Sequence, residues 1–337
     1  MKILVTGGAG FMGSDYIRYV LEAHTEVKIY NFDKLTYCGN LANLKKIETD
    51  PRYLFVRGDI ADHEVVEKVL KEFKPDAIVN FAAETHVDRS ILWSKDFVET
   101  DIIGTQTLLE AVKQYKITKY LQVSTDEVYG SIEEGEATEE SVFNPSSPYS
   151  ASKAGADLLI KAYWKTYRTP AIITHSCNNY GWYQYPEKVI PLFITNLIEN
   201  KQVPLYGDGK NVREWIFVRD HSRAVDFLLN NGKAGESYNI GTGHRISNIG
   251  LTNQLLNLLN LGQEMIKPVK DRAGHDLRYA VSCEKLLNMG WEPEYQFDQA
   301  IRETVRWYQD NIGWWRSIKS GDYQEYYKEQ YINREKS

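Results

Sequence analysis

The sequence predicts an α/β protein built on a doubly wound parallel sheet, with a smaller mixed α/β substrate region on its C-terminal side. Three observations carry the prediction. Five strand-like apolar runs alternate with helical patterns before residue 130. A glycine turn, Gly7-x-x-Gly10-x-x-Gly13, follows the first run at once. Asp33 closes the second run, twenty residues past Gly13.

The first run, Lys2 to Thr6, is apolar through its middle, as a strand buried on both faces must be. The three glycines let the chain turn tightly, bring backbone N–H groups to a pyrophosphate and let the following helix pack close to the sheet. An acid at position 33 suits the adenosine ribose hydroxyls, and Tyr37-Cys38-Gly39 offers no arginine for a 2′-phosphate. The pattern is that of a Rossmann-type site for NAD rather than NADP, the bland alternative being a glycine turn in another α/β protein. The third run, Tyr53 to Val56, leads to Gly58-Asp59-Ile60, where Asp59 and the apolar Ile60 suit adenine. A helix over 63–73 and the run Ala77 to Phe81 follow, and Ala82-Ala83 leave room for a cofactor at that strand end. A long helix with Phe97, Ile102, Leu108, Leu109 and Val112 inward leads to the fifth run, Tyr120 to Val123. Right-handed crossovers set all these strand ends on one edge, where ligands bind in such sheets.

Thr125-Asp126-Glu127 places a hydroxyl and two carboxyls where the fifth strand gives out. Crowded, buried carboxyls can have their pKa values pushed apart, so that one donates a proton while the other accepts. A helix N-cap with acidic first-turn residues is the alternative reading of the same stretch. Beyond an acidic excursion, Ile132 to Pro148, expected to be solvated, Tyr149 and Lys153 stand four apart on a helix whose expected inner face is Ala154, Leu158, Ala162 and Tyr163. A neighbouring ammonium favours phenolate, which makes Tyr149 a base for an alcohol proton; an ordinary surface pair is the alternative.

Composition sets the bounds. With 337 residues, 42% apolar and 26% charged, the chain can bury a full core. The net charge of −6 and the lack of a basic block argue against nucleic acid. Cys38, Cys177 and Cys283 have no metal-ligand spacing, so no metal is expected, and free thiols fit a reducing compartment. A start on strand residues and the absence of a membrane-length apolar run predict a soluble cytoplasmic protein with no membrane partner. The composition turns to scattered Tyr, Trp, Asn and Arg from Pro170. The expected division is therefore a cofactor domain over 1–176 with a returning segment at 214–242, and a substrate domain over 177–213 and 243–330. The aromatic C-terminal stretch (Trp307, Tyr308, Trp314, Trp315, Tyr323, Tyr326, Tyr327 and Tyr331) is expected to pack, and residues 333–337 to be mobile.

Gly7-x-x-Gly10-x-x-Gly13 with Tyr149-x-x-x-Lys153 resembles the extended short-chain dehydrogenase/reductase superfamily, which modifies nucleotide sugars. Thr125-Asp126-Glu127 looks like its 4,6-dehydratases, because the sugar epimerases lack the Asp–Glu pair. Five further blocks, Phe81 to Ser90, Asn178 to Gly181, Tyr183 to Lys188, Tyr206 to Arg213 and Asp271 to Asp276, are similar in content and order to the dTDP-glucose 4,6-dehydratase family.

The resemblance implies a cycle in which NAD is used and regenerated, giving a 4-keto-6-deoxy sugar, and a homodimer formed through helices near 97–115 and 150–167. Tyr149 would take the hexose 4-hydroxyl proton, with Thr125 on the same oxygen. Glu127 would remove the C5 proton, and Asp126 would help the 6-hydroxyl leave. It implies a cofactor set that adds Phe11, Met12, Lys34, Leu35, Thr36, Phe81, Thr85, Thr100 and Asn179 to the residues above. The nucleotide sugar would be met by Thr85, Thr125, Asn178, Lys188, Val189, Pro204, Leu205, Tyr206, Arg213, Asn248, Asp271, Arg272 and His275. Of these, Arg213 and Arg272 suit a diphosphate or ribose. UDP- and CDP-glucose are the alternative substrates, and an epimerase the rival activity. His175, Ser176-Cys177, Trp182, Asp101 and Leu277 depart from the family pattern.

Overall fold

In a computed structural model, residues 1–271, 274–320, 323, 324, 327, 330 and 331 are described. Arg272, Tyr326 and residues 333–337, on which expectations had been placed, lie outside them. Seven strands form one parallel sheet: β1 (Lys2–Thr6), β2 (Lys28–Asp33), β3 (Tyr53–Arg57), β4 (Ala77–Asn80), β5 (Lys119–Thr125), β6 (Ala171–Ser176) and, after three short strands, the edge strand Ser237–Ile240. In space the order is edge strand, β6, β5, β4, β1, β2, β3. The sheet thus grows outward from β1 in both directions, and its switch point lies beside the glycine turn.

Strand alternation decides which core each residue serves. Ile3 and Val5 face Tyr16, Ile17 and Val20 of the helix Phe11–Ala23 and Ala224, Val225 and Leu228 of the helix Val218–Asn231. Leu4, Phe32 and Ile78 face the other way, onto Val66 and Leu70, Leu108 and Leu109, and Ile160. These come from the helices His63–Phe73, Thr105–Tyr115 and Pro148–Tyr167. Both faces are covered, which is why the strands read as unbroken apolar runs.

The remaining strands build the smaller part. β7 (Asn178–Tyr180) and β8 (Val203–Tyr206) precede β9 (Val212–Phe217); β10 is the edge strand Ser237–Ile240 already placed, and β11 (Arg245–Ser247) and β12 (Ile266–Val269) follow it. β7 pairs in parallel with β9 and β11 in antiparallel, while β8 and β12 make a separate parallel pair. β9 runs straight through the boundary expected between 213 and 214. Aromatics fill the core here: Tyr180, Trp215, Phe217, Phe297, Tyr308 and Trp315 are all buried. The Tyr308 hydroxyl donates to the Gln184 carbonyl at 2.5 Å within this part, and the Trp314 indole N–H donates to Asn43 at 3.1 Å, which braces it against the seven-stranded part.

Three expectations need correction. The helix expected to run unbroken through 97–112 contains a π-helical stretch, Val98–Gly104, which turns the carboxyl of Asp101 into the interior. Leu158, expected inward, is 58% exposed, and Ala162, expected on the same face, is exposed as well. The excursion from Ile132 to Pro148 is solvated over 133–136 and at Thr138, Glu140, Val142 and Asn144, but it is pinned at intervals: Ala137 is buried and bridges to Val281, Asn144 N–H donates to the Val128 carbonyl, and Phe143 packs edge-on to Tyr129.

Candidate active site

A cleft open to solvent runs along the carboxyl ends of β1 to β6. Gly7 takes φ +67°, and a β-carbon there would lie 2.5 Å from the Ala82 nitrogen; one on Gly13 would meet the Gly7 carbonyl oxygen. Any side chain would push the turn off the sheet. Gly10, the N-cap of the following helix, brings no side-chain acceptor, so the first-turn N–H groups of Phe11, Met12 and Gly13 stay available to an anion. Asp33 is fixed at the end of β2: its two oxygens accept from Ala9 N–H and Leu35 N–H, both at 2.8 Å, while burial raises its pKa. Lys34 pairs with Asp59 at 2.6 Å and ties the ends of β2 and β3.

Gly7, Gly10, Phe11, Met12, Gly13, Asp33, Lys34, Thr36, Asp59, Ile60, Phe81, Ala82, Ala83, Thr85, Thr100, Tyr149, Lys153 and Asn179 all line this cleft. Leu35 does not; it takes φ +58° and serves Asp33 through its N–H. Asn178 and Asn179, at the cleft wall, each keep a buried amide oxygen without a partner. Together these groups fit a dinucleotide such as NAD: anion-binding N–H groups, a ribose carboxylate and unspent amide acceptors.

The proton-moving groups line the same cleft. Thr125 caps the 3-10 turn Asp126–Tyr129, accepting from Glu127 N–H at 3.3 Å, so the N-cap reading is true as well. Its hydroxyl donates to Asp126 Oδ1 at 3.3 Å. Burial, then the charges of Glu127 and Glu214, push the Asp126 carboxyl well above the ordinary range, and its Oδ2 is buried without a partner. Both effects favour the protonated form of Asp126. Glu127 Oε2 accepts from the Tyr279 hydroxyl at 3.4 Å.

The expected phenolate at Tyr149 is not what the structure gives. Burial raises its pKa well above 10.0, followed by the charges of Glu127 and Asp101, while a hydrogen bond with Thr125 opposes the rise. Lys153 instead donates to the Val123 carbonyl at 2.8 Å. Four-residue spacing put the two groups on one face, but burial outweighs the cation.

The substrate residues divide. Thr85, Thr125, Asn178 and Lys188 line the cleft, and the Lys188 ammonium donates to the Thr85 carbonyl. Val189, Pro204, Leu205, Tyr206, Arg213, Asn248, Asp271 and His275 are not part of its lining. Pro204 and Leu205 are buried in β8. The Arg213 guanidinium donates to the Val212 and Asp276 carbonyls, both at 2.9 Å, and lies 4.1 Å over the Tyr279 ring. His275 meets Asp271 at 2.6 Å and the edge of the Tyr206 ring, forming a second cluster on β8.

Two lining acids had not been singled out. Glu187 accepts from Tyr37 at 2.8 Å and pairs with Arg89 at 3.2 Å, and Glu84 is raised to about 7, chiefly by burial. Each adjoins a residue that had been singled out, Lys188 and Thr85, which was the available signal.

Dinucleotide-binding geometry on one side of the cleft and proton-moving groups on the other place the protein among the short-chain dehydrogenases/reductases. The family described as GDP-mannose 4,6 dehydratase matches residues 4–304, and the chain belongs to it. The dTDP-glucose 4,6-dehydratase of Streptomyces niveus is 47% identical over 329 residues, covering 96% of this chain and 97% of that protein. The crystal structure of dTDP-glucose 4,6-dehydratase from Bacillus anthracis with NAD is 51% identical with a TM-score of 0.89, covering 95% of this chain and all of that one. That of the Streptomyces venezuelae dTDP-glucose 4,6-dehydratase, with NAD and TYD bound, is 48% identical with a TM-score of 0.92 at the same coverage.

Proposed function

We propose that the protein is a hydro-lyase that converts dTDP-glucose to dTDP-4-keto-6-deoxyglucose, with NAD as a recycled cofactor. One observation carries the reading: Asp126 and Glu127 share a cleft with Tyr149, Lys153 and the glycine turn. Oxidation at C4 needs one base; elimination across C5 and C6 needs a further base and an acid. The cleft supplies all three.

NAD, when bound, takes hydride from C4 and returns it to C6, so no reduced cofactor accumulates. Gly7, Gly10, Phe11, Met12 and Gly13 would hold its pyrophosphate, Asp33 the adenosine ribose, Asp59 and Ile60 the adenine, and Ala82, Ala83 and Asn179 its nicotinamide side. Tyr149, a phenol in the structure, would act as the phenolate once bound NAD brings its positive nicotinamide ring to the cleft, and would then accept the 4-hydroxyl proton while Thr125 holds that oxygen. Once C4 is a ketone the C5 hydrogen is acidic, and Glu127 removes it as a proton and gives it back to C5 as hydride returns to C6. Asp126, whose protonated form burial and the neighbouring acids favour, gives its proton to the departing 6-hydroxyl. Lys188, Asn178 and Thr85 orient the hexose, and Arg213 serves the diphosphate after leaving its present carbonyl partners.

In this reading the seven-stranded part carries the cofactor and the smaller part the sugar nucleotide. The protein works in the cytoplasm as a homodimer. Among the described residues no helix is long and apolar enough to cross a membrane. Exposed Ile103 and Leu158, on packed neighbouring helices, support a second copy as the partner there.

The test is incubation with dTDP-, UDP- and CDP-glucose in turn, followed by mass spectrometry. Loss of one water from the dTDP sugar without accumulating NADH is the expected result. A product of unchanged mass would mean epimerisation, and dehydration of another nucleotide sugar alone would move the base preference.

A further inference from the structure

Behind the strand end that bears Thr125, five buried side chains close into one hydrogen-bonded cluster: Ser124, Tyr129, Asp157, His175 and Asn239, all between 0% and 5% exposed. They come from β5, the 3-10 turn, the helix Pro148–Tyr167, β6 and β10. The donors can be counted inward from Asn239. Its amide nitrogen gives both protons away, to the carbonyls of Ala137 and Ser282 at 3.1 Å each, so its oxygen is what faces Tyr129. The Tyr129 hydroxyl has one proton, and it goes to that oxygen at 3.0 Å. The contact between Tyr129 and His175 Nδ1, at 2.8 Å, must then be donated by the imidazole. On the far side of the ring, Nε2 lies 3.2 Å from Asp157 Oδ2, an oxygen that already accepts from Ser124 at 2.7 Å. With Nδ1–H committed, a neutral ring would set the Nε2 lone pair against that carboxylate oxygen, two acceptors face to face in a dry site. Asp157 Oδ1 is buried with no hydrogen-bond partner among the described residues, which leaves Ser124 and the ring as the groups that meet this carboxyl.

We propose that His175 is a positioning residue, held as a doubly protonated imidazolium whose ion pair with Asp157 locks the catalytic strand end to the catalytic helix. Ser124 precedes Thr125 in the chain, and Asp157 lies one helical turn beyond Lys153. The pair therefore sets the separation between the groups on β5 and those on the helix without touching substrate. Ser176, next in chain to His175, accepts from the Asn179 amide at 2.8 Å, which extends the brace to the cofactor side. Phe143 closes the cluster, its ring 5.6 Å edge-on to the imidazole with Lys161 over its face, and Glu139 accepts from Asn239 N–H. The proposal rests on the dehydratase reading for its kinetic consequence; the ring's protonation stands apart from it.

The test combines spectroscopy with kinetics on the full chain. Nitrogen NMR of histidine-labelled protein near neutral pH, assigned by the signal missing from His175→Gln, is expected to show protons on both ring nitrogens. A neutral ring overturns the proposal. His175→Gln, with neither charge nor matched donors, is expected to lower kcat for dTDP-glucose dehydration by about 10–100-fold with KM and NAD affinity little changed. His175→Arg, a permanent cation, is expected to recover most of that loss. A Gln variant at the wild-type kcat, or a loss that the folded Arg variant does not recover, overturns it as well. If neither variant folds, the ring measurement on the unmodified protein decides. Wild-type protein that leaves dTDP-glucose untouched sinks the dehydratase reading alone, since the ring measurement is independent of turnover.

Discussion

At the scale of single residues, the two adjacent carboxyls were readable from the sequence but their division of labour was not, because it depends on burial. Asp126 is buried in the cleft lining beside Glu127 and Glu214, and its carboxyl is pushed well above the usual carboxylate range. Asp126→Asn keeps the shape and loses the acid. It is expected to retain NAD binding and C4 oxidation while dehydration falls by about 100-fold or more, the scale of one general acid. Rapid-mixing detection of NADH with product mass would show it, and wild-type dehydration in this variant would remove Asp126 from the mechanism. Dehydration should therefore fall as pH rises through the folded pKa of Asp126, when the acid is spent. Glu127→Gln should likewise bind NAD and oxidise C4 but stop at the ketone, with no water lost from the sugar. Tyr149 teaches the converse, since a helix spacing reveals which groups share a face but not how much water the fold removes from them.

Elements were readable where their rules are local. The glycine turn requires Gly13 because a β-carbon there meets the Gly7 carbonyl, so Gly13→Ala is expected to abolish NAD binding in a fluorescence titration while the sheet still forms. The π-helical stretch was not readable, because Val98–Gly104 has ordinary helical composition and its extra residue per turn is imposed by packing. Its consequence is Asp101, fully buried beside Lys153, accepting from Ser152 at 2.6 Å, with its other oxygen unpartnered and its pKa raised to about 6, chiefly by burial. A folded pKa above the unfolded value near 3.8 means the native state holds this proton longer. Stability contributed by the protonated form is therefore whole below about pH 4 and lost as pH rises to about 6. A difference of about 2 in pKa corresponds to at most about 3 kcal/mol. Asp101→Asn, which keeps an acceptor for Ser152, is expected to be more stable than wild type at pH 7–8 by about 1–3 kcal/mol and indistinguishable near pH 4. Urea unfolding at the two pH values would check it; equal stability at both would show that Lys153 already neutralises the carboxylate.

Over the whole molecule, the doubly wound sheet was legible because unbroken apolar strands and alternating helices leave few other packings. The assembly of the smaller part was less so. Its strands are three to six residues long and scattered in sequence, and its core is made of aromatics whose partners lie far along the chain, as Tyr180 meets Phe297. Exposure on the outer helices was misread for a related reason. Leu158 fits the apolar spacing of an inner face, yet it points outward at 58% exposed, and Ile103 on the neighbouring π-helical stretch is 45% exposed. Tyr167, at the end of the same helix as Leu158, is 52% exposed. Large apolar side chains grouped on adjoining helices are what a partner surface supplies, and two antiparallel pairs of helices from two copies would bury them by self-complementary packing. Analytical ultracentrifugation of the wild type is therefore expected to give twice the chain mass of 38.9 kDa. Leu158→Asp sets a charge against its own copy across the twofold axis, and it is expected to shift the equilibrium to the monomer by about 2 kcal/mol or more, because an unpaired charge is costly in such an interface. A dimer that survives this change unaltered would place the interface on another face, and a wild-type monomer would leave Ile103 and Leu158 exposed to solvent with no structural reason for their apolarity.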